Sequence, residues 1–419
     1  MIKKLLTSLF ISASFASAKV DVAGGNHHTY ILTAEGTVLS MGQDLHMPKK
    51  GGKEYIGGKL ARTIDSEVKA GKDKGSLIAQ ANYNPSRKKV TGLEGLKIVS
   101  IASGQNDGAA ITASGQLYMW GPNNRGQLGL GDKVQRRTAT HVPLPGKIAS
   151  IALGSAHTLA VMTDGSAYSC GNGTTGVLGH GKSENIATPK LIESLKGHHI
   201  IQAAAGQNTH SLFLSKSGTV FSCGSNKHGQ LGRAEGATNI ALPIDSEIKF
   251  KSIGEGVHTS FAIDTYGKLY GWGSGTKHHF LNTNTAKVLK PTLISSAPKN
   301  LTQVAAGSRH TIVLDDQGQI YTWGIHALIS GQLGIGPVKE GTTFTNPQKV
   351  KIPGDSKVLK IDSMANNCFV TTADKIYGWG QTSHGRLGIG KKDAHLIETP
   401  ERKFYIAHSP IEISQTESE

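Results

Sequence analysis

The sequence predicts an all-β fold, a seven-bladed β-propeller with a basic insert in its first unit. Three observations predict it. Glycine supplies 53 of 419 residues, well above a usual share of roughly 7%. Apolar residues alternate in many short stretches, as they do in strands that bury one face. One pattern of strands and turns recurs about every 50 residues, and periods of this length are typical of propellers and other repeat folds.

Residues 150–181 show the recurring unit, SIALGSAHTLAVMTDGSAYSCGNGTTGVLGHG. A strand of small residues ends at a glycine, a His-Thr pair opens a second apolar strand, and a tight turn leads into a third strand. The third strand ends in Cys-Gly or Trp-Gly, and a loop with the pattern G-x-L-G follows. The glycine of the tight turn is expected at positive φ, which glycine adopts without a Cβ clash.

Seven such units account for nearly the whole chain. The glycine that ends the first strand, just before the His-Thr position, marks each unit. Successive marking glycines from Gly104 to Gly307 are 50 to 52 residues apart, whereas the first interval, from Gly25 to Gly104, is 79 residues. The longer interval predicts an insert at about 46–92. A degraded seventh unit follows at 364–390 and lacks the first glycine and the histidine. The marking glycines are Gly25, Gly104, Gly154, Gly206, Gly256 and Gly307.

The third strand ends in an apolar residue in every unit. We interpret these residues as core, including the cysteines, because free Cys packs as a small hydrophobe. The third cysteine, Cys368, makes the count odd and no C-x-x-C occurs, so no disulfide framework and no thiolate zinc site are predicted. The residues are Trp120, Trp272, Trp323 and Trp379 in four units, and Met41, Cys170 and Cys223 in the other three.

A four-stranded sheet of about 50 residues cannot bury both of its faces alone. Stacking such sheets radially buries them and leaves only short edges. The seven units therefore predict one propeller domain over 19–413, followed by a tail at 414–419. Closure of the ring is expected to bring a first blade that begins near Val20 beside a last blade completed by 403–413.

The loop at 120–131, WGPNNRGQLGLG, and its counterparts resemble the repeat of the regulator-of-chromosome-condensation (RCC1-type) propeller family. The resemblance covers roughly residues 20 to 400. It implies the propeller fold and, from the best-known activity of the family, guanine-nucleotide exchange on a small GTPase. Among relatives the fold also serves as a secreted protein inhibitor. This chain departs from the pattern in the insert, in the degraded seventh unit and at 273–282, where GSGTKHHFLN replaces G-x-L-G.

Residues 176–183, GVLGHGKS, match the phosphate-binding pattern G-x-x-x-x-G-K-[ST]. The same glycines recur at 126–131 and 331–336 with no Lys-Ser after them. A phosphate loop leads from a strand into a helix whose N-terminus faces the anion. Here ENIATPKL follows, with Pro189 and a return to extended structure, so we predict a blade loop and no nucleotide site.

The first 18 residues have the layout of a secretory signal peptide. A basic start, a short apolar stretch and the small residues Ala-Ser-Ala predict cleavage after Ala18. The protein is therefore expected to be secreted or periplasmic. A mitochondrial targeting peptide is the alternative, because the segment is rich in Ser and has no acidic residue. The apolar stretch is too short to span a bilayer.

The sequence contains no convincing catalytic constellation. We find no nucleophile elbow, no H-E-x-x-H motif and no paired carboxylates at a suitable spacing, so the chain is predicted not to be an enzyme. Histidines before the tight turns are interpreted as structural residues that hydrogen-bond backbone near the turn. The pair His278-His279 is the least explained, and weak metal binding there is the alternative. No cofactor and no metal are predicted.

The charge is strongly basic and concentrated in one segment. The formal net charge is +15, and residues 44–97 contain 12 Lys or Arg against 6 Asp or Glu. Such a segment could dock an acidic protein, a polyanionic polymer or nucleic acid. It could also be a solvated excursion. Because loops on a rigid scaffold usually carry binding sites, the candidate partner-binding residues are Lys59, Arg62, Lys69, Lys72, Lys74, Arg87, Lys88 and Lys89.

The leading functional hypothesis is a non-enzymatic, exported and monomeric propeller that binds a protein or polyanionic partner through its blade loops. The first alternative is a guanine-nucleotide exchange factor for a small GTPase, implied by the family resemblance. The second is a nucleic-acid-binding or chromatin-binding propeller, supported only by charge.

Overall fold

The structure is a ring of seven antiparallel sheets, which confirms the predicted propeller. The computed structural model describes residues 20–42, 87–206, 209–234, 236–275, 286–326, 331–339, 342–382, 385–389, 395–398 and 403–416. Six sheets have four strands and the last has five. Within these ranges, the helical elements that are described in full are single 3₁₀ turns at Glu193–Leu195 and Pro353–Asp355.

The strands are numbered in chain order and grouped by blade. Blades 1 to 4 contain β1 (Asp21–Gly24), β2 (His28–Leu32), β3 (Val38–Gly42) and β4 (Lys88–Lys89); β5 (Ile98–Ser103), β6 (Gly108–Thr112), β7 (Leu117–Gly121) and β8 (Arg136–Val142); β9 (Ile148–Leu153), β10 (His157–Met162), β11 (Ala167–Gly171) and β12 (Ile186–Leu191); β13 (Ile200–Ala205), β14 (His210–Ser215), β15 (Val220–Gly224) and β16 (Thr238–Pro243). Blades 5 to 7 contain β17 (Phe250–Glu255), β18 (Thr259–Asp264), β19 (Leu269–Ser274) and β20 (Lys287–Leu293); β21 (Leu301–Ala306), β22 (His310–Asp315), β23 (Ile320–Ile325) and β24 (Thr343–Val350); β25 (Lys360–Met364), β26 (Asn367–Thr371), β27 (Ile376–Gln381), β28 (His395–Glu398) and β29 (Lys403–Glu412).

Each blade is built from strands that follow one another in the chain; blades 1 to 6 are meanders, and no described blade takes strands from both ends of the chain. The first strand of each blade contacts the first strand of the next, and β25 contacts β1 in the same way. The first strands therefore surround the axis and the ring is closed. In blade 7, β29 pairs with β27 and β28 pairs with the outer side of β29.

The turns between the second and third strands contain the expected glycines at positive φ. Gly36, Gly115, Gly165, Gly218, Gly267 and Gly318 have φ between 80° and 85°. An L-residue with a Cβ is strained in this region, so glycine is the residue that lets each hairpin reverse in so few residues.

The ends of the third strands form the core between blades. Trp120, Trp272, Trp323 and Trp379 are fully buried, and Met41, Cys170 and Cys223 are at most 2% exposed. The two cysteines are free and buried, as the core interpretation predicted. Burial raises the pKa of each thiol to about 12, so both remain neutral.

The G-x-L-G loops of blades 2, 3, 4 and 6 each contact the next blade. The carbonyl of Gln230, from the blade 4 loop, accepts hydrogen bonds from Ser260 Oγ at 2.8 Å and from Trp272 Nε1 at 3.0 Å in blade 5. The carbonyl of Gln332 accepts one from Trp379 Nε1 at 3.1 Å in blade 7. The loop carbonyl therefore accepts a hydrogen bond from the indole N–H of the buried tryptophan in the neighbouring blade.

The loop at 176–183 belongs to this set. The carbonyl of Val177 accepts a hydrogen bond from Ser211 Oγ of blade 4 at 2.8 Å. Gly176 and Gly179 have positive φ, and a Cβ on Gly176 would lie 2.9 Å from Asn239 Cα. The chain continues after Ser183 into the strand β12 and not into a helix. The segment is a blade loop, as predicted, and its glycines permit close packing between blades.

Side chains close the seam between blades 7 and 1. Lys360 Nζ lies 2.6 Å from Asp21 Oδ1, and the Gly24 amide donates to Asp362 Oδ2 at 2.8 Å. Arg87 donates from Nη1 to the Gly388 carbonyl at 2.9 Å. The two ends of the described chain thus complete neighbouring blades, as the repeat predicted.

The two loop carbonyls that accept from tryptophan allow a matched test. Trp272→Phe keeps the bond from Ser260 Oγ to the Gln230 carbonyl, whereas at the Gln332 carbonyl Trp379→Phe removes the indole donor and keeps the contact with Cys368 Sγ, a weak donor at 3.6 Å. Weakening the hydrogen bonding of a buried acceptor costs up to about 1–3 kcal/mol. We expect Trp379→Phe to lower the free energy of unfolding more than Trp272→Phe, measured by denaturant titration. Equal losses would contradict the role of the loop carbonyl.

Candidate partner-binding face

The propeller has two faces that differ in their connections. The loop face carries the links from first to second strands and from third to fourth strands, including the G-x-L-G loops. The hairpin face carries the tight turns and the links between blades. Register places Gly24, His28 and Gly42 of blade 1 together at the loop face. Arg87, which precedes β4, lies at the same end.

Basic residues predominate on the loop face. Its described connections contain nine Lys or Arg residues and three acidic residues, and one of the acidic residues, Asp107, is buried. Asp132 is held by Arg136 at 2.6 Å. The basic residues that are exposed on this face are Arg125, Lys133, Lys182, Lys227, Arg309 and Lys339.

On the hairpin face the numbers of basic and acidic residues are nearly equal. The described connections on that face contain ten Lys or Arg residues and nine Asp or Glu residues. Examples are Lys216, Lys268 and Lys299 among the basic residues, and Glu193 and Asp316 among the acidic ones. The excess positive charge of the described connections is therefore concentrated on the loop face.

The predicted basic site is partly placed by the structure. Lys59, Arg62, Lys69, Lys72 and Lys74 lie outside the described residues, so their role stays a prediction. The flanks of that segment, Gly42 and Arg87, both lie on the loop face.

Arg87, Lys88 and Lys89 lie where the chain returns to blade 1. Lys88 and Lys89 form β4 and pair with Ser40 and Leu39. Arg87 Nε also donates to the Thr416 carbonyl at 2.8 Å, and partial burial lowers the pKa of its guanidinium. These three residues therefore have structural contacts, and the exposed side chain of Lys89 is the one most open to a partner.

Sequence reasoning missed the exposed basic residues on the other loops. The signal was available, because Arg125, Lys133, Lys182 and Lys227 all stand between a third and a fourth strand of the repeat. Their separation along the chain concealed a common face that only the ring creates.

A ring of buried polar residues lies beneath the loop face. His28 Nε2 is 2.9 Å from Ser103 Oγ, and His210 Nε2 is 2.9 Å from Ser260 Oγ, in each case on the next blade. The sequence pattern predicted backbone partners within the turn, whereas the structure shows side-chain partners across the blade junction. The ring, each member at most 1% exposed, consists of His28, Asp107, His157, His210, Thr259, His310 and Asn367.

The marking glycines leave room for these polar side chains. A Cβ on Gly25 would lie 2.3 Å from the ring of His28, and a Cβ on Gly104 would lie 2.2 Å from Asp107 Oδ1. The glycine is therefore required by close approach of a neighbouring side chain and not by positive φ.

Burial sets the protonation of this ring. It lowers the pKa of His210 to about 3, so the imidazole is neutral near pH 7. It raises the pKa of Asp107 to about 7. Asp107 thus occupies a position in blade 2 that a neutral group fills in other blades.

The described residues show neither a metal cluster nor a membrane-spanning helix. Within those ranges no three His, Cys, Asp or Glu residues converge on a point that could hold a metal ion. No helix in the same part of the chain is long and apolar enough to cross a bilayer. The pair His278-His279 lies outside the described residues.

Comparison with known proteins finds similar propellers. The model of the family described as RCC1-like domain matches residues 69–413. The chain is 32% identical over 302 residues to the ultraviolet-B receptor UVR8 of Arabidopsis thaliana, covering 70% of this chain and 67% of the receptor. It is 30% identical over 296 residues to the secretion-regulating guanine nucleotide exchange factor of Bos taurus, covering 67% and 62% of the two chains.

Other relatives match over only part of their length, and solved structures show the same fold. The chain is 29% identical over 348 residues to the human E3 ubiquitin-protein ligase HERC2, but it spans only 6% of that protein. Human WBSCR16 is 22% identical with a TM-score of 0.67, covering 79% of this chain and 85% of that one. Yeast RCC1 (Prp20), solved bound to Kap60, is 21% identical with a TM-score of 0.63, covering 83% and 78%.

The raised pKa of Asp107 predicts a pH-dependent effect of Asp107→Asn. The folded state holds a proton on this carboxyl up to pH about 7, whereas the unfolded chain releases it near pH 3.8. The wild-type carboxyl therefore lowers the free energy of unfolding increasingly as the pH rises through this window. We expect Asp107→Asn to be more stable than the wild type at pH 8, with a difference that shrinks toward pH 4.

Paired denaturant titrations from pH 4 to pH 8 measure this difference. The buried histidines titrate in both proteins, so their contribution cancels in the difference between the two free energies of unfolding. Asn367 holds the same position in blade 7, so asparagine fits the site. A difference that does not change with pH would contradict the prediction.

Proposed function

The chain belongs to the RCC1-like domain family, and from this premise we propose that it is a protein-binding propeller whose loop face docks an acidic surface of a partner protein. The observation that carries the proposal is the separation of charge between the two faces. Binding, and not catalysis, is the role we infer, with the ring acting as a rigid support for the loops.

The charge pattern supports an acidic partner. Arg125, Lys133, Lys182, Lys227, Arg309 and Lys339 come from four blades and are exposed around one face. Charges spread over a rigid face steer association and fix orientation more than they add affinity. The basic segment that leaves and re-enters at Gly42 and Arg87 would add to the same field.

A matched pair of charge reversals tests the proposal. We compare Arg125→Glu/Lys182→Glu/Lys227→Glu on the loop face with Lys216→Glu/Lys268→Glu/Lys299→Glu on the hairpin face. Both change the net charge equally. On a poly-glutamate column we expect the loop-face variant to elute at clearly lower salt than the hairpin-face variant, since the excess of basic residues in the described connections lies on the loop face.

Two results of this experiment would count against the proposal. Equal shifts for both variants would show that net charge alone causes retention. Tighter retention on duplex DNA than on poly-glutamate at the same salt would favour the nucleic-acid reading, because phosphate contacts give a steep salt dependence. A deletion that tests the basic segment should stop at residue 86, because Arg87, Lys88 and Lys89 belong to blade 1.

Guanine-nucleotide exchange is the second candidate function. The similarity to the secretion-regulating guanine nucleotide exchange factor, which spans 67% of this chain, favours it. Release of a fluorescent GDP analogue from a panel of small GTPases separates the two readings. Faster release of the GDP analogue with catalytic amounts of the protein would support guanine-nucleotide exchange. An unchanged release rate would support docking without exchange.

We further propose that the protein is exported. The basic start, the apolar stretch and the Ala-Ser-Ala boundary of residues 1–18 support this proposal. Residues 1–30 fused to a reporter are expected to direct it out of the cytosol with cleavage after Ala18. A control fusion with Lys3 and Lys4 changed to Glu should reduce export. Retention in the cytosol with an intact N-terminus, or delivery to mitochondria, would contradict the proposal.

A further inference from the structure

The hairpin face carries a cavity on blade 3, at the opposite end of the blades from the basic loops. Its volume is about 320 Å³, near the lower end of the roughly 300–1,000 Å³ that is typical of ligand sites. One wall is the hairpin turn between β10 and β11. The other wall is the link between β12 and β13, which contains the 3₁₀ turn Glu193–Leu195.

The base of this blade 3 cavity is apolar. Tyr168 of β11 and Leu191 of β12 are half-buried and stand directly opposite each other in the sheet, so their side chains lie side by side. Leu195, which is buried, comes from the 3₁₀ turn of the link. Three apolar side chains at the base of a cavity can hold one apolar side chain of a ligand, which is the usual form of an anchor in protein recognition.

Backbone hydrogen bonds and close packing hold the two walls together. The Lys196 amide donates to the Glu193 carbonyl at 3.1 Å, and the Ile200 amide donates to the Gly165 carbonyl at 2.8 Å. His199 has a φ of 49°, which is uncommon for a residue other than glycine. Its ring lies so near the hairpin that a Cβ on Gly165 would be 2.7 Å from its Cγ. The fold itself therefore sets the shape of the cavity.

Two opposite charges line the cavity and do not pair with each other. Asp164 Oδ1 accepts hydrogen bonds from the hydroxyl and the amide of Ser166, at 2.6 and 2.9 Å. These bonds lower the pKa of Asp164, so its carboxylate is charged at neutral pH. The side chains of Asp164 and Lys196 are exposed, and neither has an ion-pair partner among the described residues. An acidic group on one wall and a basic group on the other are therefore available to a ligand.

We propose that the blade 3 cavity binds an extended segment of a partner protein in which an apolar residue stands between a basic residue and an acidic one. The apolar side chain packs on Tyr168, Leu191 and Leu195. The basic residue faces Asp164 on the hairpin, and the acidic residue faces Lys196 on the link. The apolar contact supplies most of the affinity, while the two charges select the partner and fix its orientation.

A protein segment fits this cavity better than a small molecule does. Cavities that bind small molecules enclose most of the surface of the ligand. Here the side chains of Asp164, Lys196 and His199, which belong to both walls, are exposed, so the cavity is open to solvent. An extended segment can cross such an opening with both of its ends in solvent.

The proposal goes beyond docking at the loop face and can fail or hold independently of it. The two sites lie on opposite faces of the ring. None of the residues whose charge is reversed in the docking test, on either face, lines the blade 3 cavity.

Three peptides test the cavity on the wild-type chain. The first, acetyl-Gly-Ser-Arg-Phe-Glu-Ser-Gly-amide, carries the proposed pattern; the second has Ser in place of Phe, and the third has Gln in place of both Arg and Glu. We expect the first peptide to bind about fivefold more tightly than either of the others, measured from amide chemical shifts in NMR titrations. The largest shifts are expected at the amides of Ser166 and Gly197, which line the cavity.

Several results of these titrations would overturn the proposal. Equal binding of the first and second peptides would show that no apolar side chain is held, and equal binding of the first and third would show that the charges play no part. Absence of binding, or shifts that map to another part of the ring, would exclude the cavity as the site. Free phenylalanine that binds as tightly as the first peptide would identify a site for small molecules instead.

Single substitutions test the two charges with matched controls. Asp164→Asn and Lys196→Gln each remove one charge and keep the shape, so we expect each to weaken binding of the first peptide about threefold and to leave the Gln peptide unaffected. Asp316→Asn and Lys268→Gln make the same changes on the same face outside the cavity and are expected to leave binding unchanged. Unchanged binding in the cavity variants, or equal weakening in the controls, would contradict the proposal.

The Lys196→Gln variant keeps the test decisive if Asp164→Asn disturbs the hairpin. Asp164 accepts hydrogen bonds within its turn, whereas the side chain of Lys196 makes no hydrogen bond or ion pair with a described residue. Denaturant titration of each variant shows whether the fold is intact. A Lys196→Gln chain of wild-type stability that binds the first peptide as tightly as the wild type would by itself overturn the assignment.

Discussion

Each blade of this protein is a sheet too thin to bury its own two faces, and the structure follows from how that burial is achieved. Neighbouring blades supply the missing layer, so the junctions between blades hold the core. Close packing there leaves polar atoms that water cannot reach. The Gln230 and Gln332 carbonyls and the side chains of His28 and His210 satisfy many of them across the junctions. The same contacts that pair these atoms fix the angle between successive blades.

Much of the fold could be predicted because the backbone imposes it on every unit alike. Gly165 must reach positive φ in its hairpin, and Trp379 must end a buried strand, so both recur in the sequence. The role of Gly25 was harder to predict from the sequence. Glycine is required there because the ring of His28 lies too close for a Cβ, and not because of the dihedral angles of Gly25. The histidines were recognised as structural, but their partners lie about 50 or more residues away, and only the closed ring brings them together.

The functional features were less predictable because they break the repeat or depend on the ring. Lys182 and Arg309 share a face only after the blades close. The basic segment was chosen as a candidate binding site because of its charge. It is an insert in the repeat, so the repeat pattern does not predict where its residues lie.

The meander order of the blades has a consequence for how the molecule could be rewired. Many closed rings of sheets are locked by one blade that combines strands from both chain ends, but here the Lys360–Asp21 pair and the packing of β1 against β25 and β26 close the circle. No sheet would lose a strand if the ends were joined by a linker and the chain were opened between two other blades. Circular permutants with new termini at 143–147 or 244–249 would keep all seven sheets intact and would move the point of covalent discontinuity around the ring.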